Sequence, residues 1–464
     1  MSEDNKKQEE LLEKREARRK RRQRNQILAY LVVIVLVILL AVGVLALLHY
    51  IPERNQKVDP GTRATVQPTN EPEEESSEVA QAEETPEPEE TIEPVETTEP
   101  VEVVPTYQEK LDEIVNAAIA VMPLEDKVAG LFMVTPELLT GVKPVNKAGE
   151  STRKALEKYA VGGILYKSSN VKNRDAFQTM LKNTVEYSKY PLFLAVEEEG
   201  GSATQIANLN IGTKTNSAKA IAATGDTQNA YQAGQAIGTY LKELGLNMNL
   251  APVADLANVD KSIMADRSYG SDAQTVIGYV KNAMQGLQDQ GVVPCVKHFP
   301  GMGSVTTDTE KGVAVSQRSE EDFWASEMDL FHKLVDDKVP AIMISNMAAP
   351  SLTGDNTPCS LSDKVVTDIL RKQLSFDGLI ITDALNEKAV SEYYSSEQAA
   401  ILALKAGCDM IVCPENLEKA YQGVLKAVQD GTISEERVND ALRRIYRIKL
   451  ADQVEESRTL ETKV

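Results

Sequence analysis

The chain has 464 residues and a formal net charge of −20, which leaves room for one large domain with extensions and excludes nucleic acid as a favoured partner. Much of the acidity is local. Between Arg63 and Lys110 there is no Lys or Arg, while Glu71, Glu73, Glu74, Glu75, Glu83, Glu84, Glu87, Glu89 and Glu90 follow one another among Pro, Thr and Ser. Such a segment cannot bury enough apolar surface to offset its ordering entropy. Residues 49–106 are therefore expected to be a disordered, self-repelling tether.

In chain order the first element is a basic tail over 1–26, carrying Arg18, Arg19, Lys20, Arg21, Arg22 and Arg24. An uninterrupted apolar run follows from Ile27 to Leu48, long enough for a helix to cross the roughly 30 Å hydrocarbon core of a bilayer. The positive-inside rule puts the amino terminus in the cytoplasm and everything after His49 outside. A cleaved signal peptide would have a shorter apolar core, about 7 to 15 residues, and a small-residue cleavage site. Neither that site nor a lipoprotein Cys ends this run, so 27–48 is expected to be a retained transmembrane signal anchor.

From Tyr107 to Leu450 short β-rich runs alternate with longer helix-like segments, the pattern of βα units around a parallel sheet. The runs begin near Gly130, Gly162, Pro191, Met248, Val292, Ala341, Gly378 and Cys408. Their number predicts a closed (β/α)8 TIM-like barrel. An open doubly wound sheet would need a nucleotide-binding Gly fingerprint after its first strand, and TPELLTGVK has none. Helices are expected over TQNAYQAGQAIGTYLKELG, over SDKVVTDILRKQL with Ser362 as cap, and over ISEERVNDALRRIYRIKL, which would close the barrel. Residues 451–464 form a polar tail. Cys295, Cys359, Cys408 and Cys413 show no CxxC or metal spacing, so no metal site is expected; buried thiols are, with a disulfide at Cys359 left open.

The strand ends collect one polar group after another: Glu197 and Glu199 before Gly200 and Gly201, Asp255, Asp266 with Arg267, Lys297 with His298, Asn346, and Asp383. In a barrel these converge on one rim, where function resides. Asp383, at the end of GLIIT, suits a carboxylate nucleophile, although Asp is also a favoured helix cap and a helix beginning at Ala384 would use it so.

Seven motifs stand in order: LEDKVAGLFMV at the first strand, EEEGG after the third, NLAPVADL at the fourth, DRSYGSD beyond it, KHFPG at the fifth, GLIITDAL at the seventh and AGCDMIV at the eighth. From about Leu124 to Leu450 they resemble the amino-terminal barrel of glycoside hydrolase family 3, and most of all its single-domain bacterial β-N-acetylglucosaminidases. The resemblance implies that Asp383 is the nucleophile and that Arg267, Lys297 and His298 bind sugar hydroxyls. Two further sugar ligands of the family's DxEGGRVxR pattern fall on Glu197 and Gln205, and its middle Arg on Ser202. In the loop after the fifth strand the family's Asp-x-His pair becomes Asp308, Thr309, Glu310. A Glu can serve as proton donor, with Asp308 raising its pKa. The pair reads equally well as a solvated loop.

The expectation that follows is a membrane-anchored, extracytoplasmic enzyme. It would cleave terminal β-linked N-acetylglucosamine with retention and without a cofactor, on peptidoglycan fragments or other glycans. The alternative is an envelope protein that has lost catalysis and binds sugar or a protein partner on the same barrel.

Overall fold

The computed structural model describes residues 106–452. The basic tail, the Ile27–Leu48 run and almost all of the acidic tether lie outside them, as does the carboxyl-terminal segment 453–464. Among the described residues no helix is long and apolar enough to cross a membrane.

Eight strands form one parallel sheet: β1 Phe132–Val134, β2 Gly163–Leu165, β3 Phe193–Val196, β4 Met248–Asn249, β5 Val293–Phe299, β6 Ala341–Ile344, β7 Leu379–Thr382 and β8 Ile411–Val412. They pair in chain order, and β8 returns to β1 through Phe132↔Ile411 and Met133↔Val412. The last seam is short: Ile381 bridges Met410, and Thr382 N–H donates to the Met410 carbonyl at 3.0 Å. The sheet thus closes as a barrel. Each of the eight apolar runs read from the sequence supplies one strand. Strands covered on both faces need continuous apolar sequence, as FMV, FLAV, AIMI and LIIT provide.

Buried charge secures the closing seam. The carboxylate of Asp409, fully buried, accepts the Ile380 N–H at 2.9 Å and pairs with Arg371. Arg437 and Arg444 stand 3.5 and 3.6 Å from its other oxygen. The segment AGCDMIV therefore carries a clamp as well as a strand.

The outer helices follow the expected spacing. Gln228–Leu244 fills the third crossover, between β3 and β4, and Glu435–Lys449, capped by Ser434, buries Val438, Leu442 and Ile445. The segment after β6 departs from expectation. It winds as a π-helix over Lys364–Gln373, and Asp363, not Ser362, accepts the Lys364 N–H. Ser362 is buried and its carbonyl takes the Val366 N–H instead. All four cysteines are free and buried, and burial pushes the Cys359 thiol up to about 12.

Candidate active site

The third strand ends at Val196, and a hairpin of Glu198–Gly200 with Ala203–Thr204 follows at once. Its turn demands glycine. Gly200 and Gly201 have φ of +97° and +58°, and a Cβ on Gly200 would stand 2.7 Å from the Asn216 carbonyl oxygen. Glu198 is structural: fully buried, it accepts the N–H groups of Gln205 and Ala207 and the Tyr240 hydroxyl.

On β5 the ladder slips by one residue. Lys297 pairs with Met343 and Phe299 with Ile344, which leaves His298 as the extra residue of a bulge. Consecutive side chains that a regular strand would send to opposite faces both find partners at the site. The Lys297 ammonium, fully buried, lies 3.0 Å from Glu197 and 2.8 Å from Glu199. His298 Nδ1 lies 2.7 Å from Asp255, whose other oxygen accepts the Met302 N–H at 2.6 Å. Arg267 completes the cluster with two 2.7 Å bonds to Glu199.

These charges balance one another. Burial works against the Glu199 carboxylate, but Lys297 and Arg267 outweigh it and hold the group down at about 2. The charge of Lys297 keeps Glu197 below the ordinary carboxylate range. Burial likewise disfavours the Lys297 ammonium, and Glu197 and Glu199 nevertheless hold its pKa above normal.

Asp383 follows β7 directly, with its N–H on the Ile344 carbonyl and one carboxylate oxygen accepting the Ala384 N–H at 2.8 Å. No helix starts at Ala384; the next one is Lys388–Ser391. Asp383 lines a cavity of about 320 Å³ together with Glu197, Glu310, Glu387, Lys167 and Asn386, against apolar walls that include Leu250 and Met343. Burial raises the Asp383 pKa, and His298 pulls against it. Glu387 is raised to about 9, by burial first and then by repulsion from Asp383.

Of the residues expected at the site, Asp383, Glu197 and Glu310 line this cavity, while Lys297, Arg267 and His298 stand in the ion cluster beside it. Asp308 and Gln205 are not among the lining residues. The Asp308 carboxylate accepts the Glu310 N–H at 3.0 Å and pairs with Lys311 at 3.1 Å, so its charge is engaged within its own turn. Gln205 accepts the Ser168 N–H at 3.1 Å and ties the loops after β2 and β3 together. Sequence reasoning missed Lys167, Asn386 and Glu387. Lys167 lies two residues beyond β2 and the strand-end rule would have found it; Glu387, four residues after Asp383, was hidden in a polar turn.

A cavity of this size at the carboxyl ends of barrel strands, with a carboxylate just after β7 and a Lys-His bulge on β5, has the position and the charged lining of an enzyme's active site. The chain matches the Glycosyl hydrolase family 3 N terminal domain over residues 123–448 and belongs to that family. It is 27% identical over 345 residues to a β-N-acetylglucosaminidase/β-glucosidase of Cellulomonas fimi, covering 72% of this chain and 59% of that protein. It is 29% identical over 340 residues to the β-hexosaminidase LpqI of Mycobacterium tuberculosis, covering 71% and 84%. Among solved structures, a family 3 β-N-acetylglucosaminidase from Paenibacillus sp. str. FPU-7 superposes with a TM-score of 0.68 at 30% identity, covering 72% of this chain and 64% of that one. For M. tuberculosis LpqI the TM-score is 0.65 at 28% identity, with 72% and 96% covered. The chain thus spans less than two thirds of the Cellulomonas and Paenibacillus proteins.

Proposed function

We propose that the protein is a retaining glycoside hydrolase acting on terminal β-linked N-acetylglucosamine. The observation that carries this reading is Asp383 in the cavity, flanked by the Lys297, Glu197 and Glu199 cluster, in a family 3 barrel whose similar proteins include β-N-acetylglucosaminidases. In this reading the Asp383 carboxylate attacks the anomeric carbon and forms a glycosyl ester, which water then hydrolyses. Arg267, Lys297, His298 and Glu197 serve the sugar hydroxyls, and Gln205 acts from the rim. The departing oxygen needs a proton, for which the sequence reading expects Glu310, the residue standing where the family carries a His; Glu387 is a second carboxyl group lining the same cavity.

The cellular setting belongs to the same proposal. The Ile27–Leu48 run would anchor the chain in the bilayer, with the acidic tether holding the barrel outside, within reach of peptidoglycan fragments. The test is hydrolysis of 4-nitrophenyl β-N-acetylglucosaminide and of the β-linked N-acetylglucosamine disaccharide, with the anomer of the released sugar followed by NMR. Release of the β-anomer supports the reading. Binding of N-acetylglucosamine with no turnover of either substrate would favour a sugar-binding envelope protein instead.

A further inference from the structure

We propose that Glu387, rather than Glu310, is the acid/base of this reaction, and that it forms with Asp383 a carboxyl pair carrying one negative charge throughout the catalytic cycle. The inference rests on the hydrolase reading of the same cavity.

Position is the first argument. Both carboxyl groups line the one cavity and lie on a single segment, Asp383 to Glu387, whose backbone is bolted to the barrel. Asp383 N–H donates to Ile344, Leu385 N–H to Val412 and Asn386 N–H to Cys413, all at 2.8 or 2.9 Å. The Glu387 carboxyl is itself held. Asn346 Nδ2 donates to it at 2.9 Å and to the Ala384 carbonyl at 2.9 Å, while the Ser360 hydroxyl fixes the Asn346 oxygen at 2.6 Å. The Thr309 hydroxyl acts on it as well, favouring its charged form, from a buried residue whose carbonyl takes the Ala389 N–H at 3.1 Å. An acid/base group needs such fixed geometry. Glu310 is solvent-exposed, and its backbone, not its carboxylate, makes the bond to Asp308.

Charge is the second argument. Two carboxylates in one confined site cannot both ionise freely. Burial raises both groups; at Asp383 the His298 and Lys297 charges oppose the rise while Glu197 adds to it, and at Glu387 both facing charges, Asp383 and Glu310, add to it against the hydrogen bonds from Asn346 and Thr309. Glu197 and Lys167 line the same cavity and complete its charged groups. The cations beside Asp383 assign the shared negative charge to it as nucleophile, and the proton to Glu387 as acid.

The chemistry then closes on itself. As the Asp383 oxygen bonds the anomeric carbon and the glycosidic C–O bond breaks, the Glu387 proton passes to the departing oxygen, which leaves as an alcohol. Esterification removes the charge from Asp383, and with it the repulsion that kept Glu387 protonated. Glu387 is now the carboxylate of the pair and takes a proton from the attacking water. The hydroxyl adds to the anomeric carbon, the ester C–O bond breaks, and Asp383 recovers its charge as the sugar leaves. The negative charge alternates between the two residues, while the proton leaves Glu387 with the departing alcohol and returns to it from water.

The test uses the full chain carrying Glu387→Gln, Glu387→Ala or Glu310→Gln, with the N-acetylglucosamine disaccharide and a 2,4-dinitrophenyl β-N-acetylglucosaminide as substrates. Glu387→Gln should lower disaccharide turnover about 100-fold or more, the scale of general acid catalysis. Its formation of the glycosyl ester from the dinitrophenyl substrate, seen as a burst, should be little changed. Azide should restore turnover of Glu387→Ala and yield a β-glycosyl azide. The wild-type kcat/KM should fall as pH rises through the Glu387 pKa, and Glu387→Gln should lack that limb. Glu310→Gln, which removes one of the charges facing Glu387, should keep that limb and move it to lower pH. Loss of disaccharide hydrolysis in Glu310→Gln with Glu387→Gln unaffected overturns the assignment. So does equal loss of both substrates in a folded Glu387→Ala that azide fails to rescue, which would make Glu387 purely structural. A wild-type protein inert toward both substrates would instead overturn the hydrolase reading itself, and this proposal with it.

Discussion

Holding Glu387 protonated at neutral pH costs stability, and Glu387→Gln should return it. The group moves from an ordinary 4.5 in the unfolded chain to about 9 in the folded one. Between those values the native state keeps a proton that the unfolded state has released, so stability falls as pH rises through that window and is unaffected below it. At pH 7 the folded protein has crossed about 2.5 units of the window, and at about 1.4 kcal/mol per unit the penalty is on the order of 3 kcal/mol. A glutamine has the shape of the neutral acid and can still accept from Asn346, but it has nothing to ionise. Urea unfolding of the soluble barrel, wild type against Glu387→Gln, should give matching midpoints near pH 4.5. Toward pH 8 the variant should grow progressively more stable. A wild type more stable than the variant at pH 8, or a gap that does not change with pH, would refute the reasoning.

Other outcomes follow from the same contacts. Asp383→Asn should lower turnover by several orders of magnitude with the fold intact, because the covalent step disappears while the packing is preserved; kcat and a melting curve check both. Lys297→Met removes the buried cation that Glu197 and Glu199 share, and should cost about 3–5 kcal/mol of stability by chemical denaturation. Asp409→Ala leaves Arg371 unpaired at the barrel seam and should destabilise by a similar amount, about 3–5 kcal/mol, without altering the KM of any surviving activity. Protease added to intact cells should cut the tether and release a folded barrel beginning near Tyr107; a barrel protected until the membrane is broken would contradict the proposed topology.

The strands were legible because a parallel barrel buries both faces of each one. That writes runs such as GLIIT and AIMIS into the sequence, with the polar residue after each marking the rim. Lys297 and His298 were legible as a pair, but the bulge that lets both reach the site depends on the register between β5 and β6, which no local pattern encodes. Asp308 and Glu310 looked alike on paper. Only the fold shows one closed on its own turn and the other lining the cavity. Glu387 was the hardest to see, since its character comes from burial and from the charge on Asp383, both properties of the assembled site. The Ser362 cap failed because Asp363 beside it offered a carboxylate to the Lys364 N–H while Ser362 was buried.

The most direct measurement is to trap the covalent intermediate. The protein would be incubated with a 5-fluoro-N-acetylglucosaminyl fluoride, whose ester forms faster than it hydrolyses, then digested and mapped by mass spectrometry. The account predicts one added sugar per chain, on the peptide containing Asp383 and absent from Asp383→Asn. A label on any other residue, or none on a preparation that still hydrolyses N-acetylglucosaminides, would contradict it.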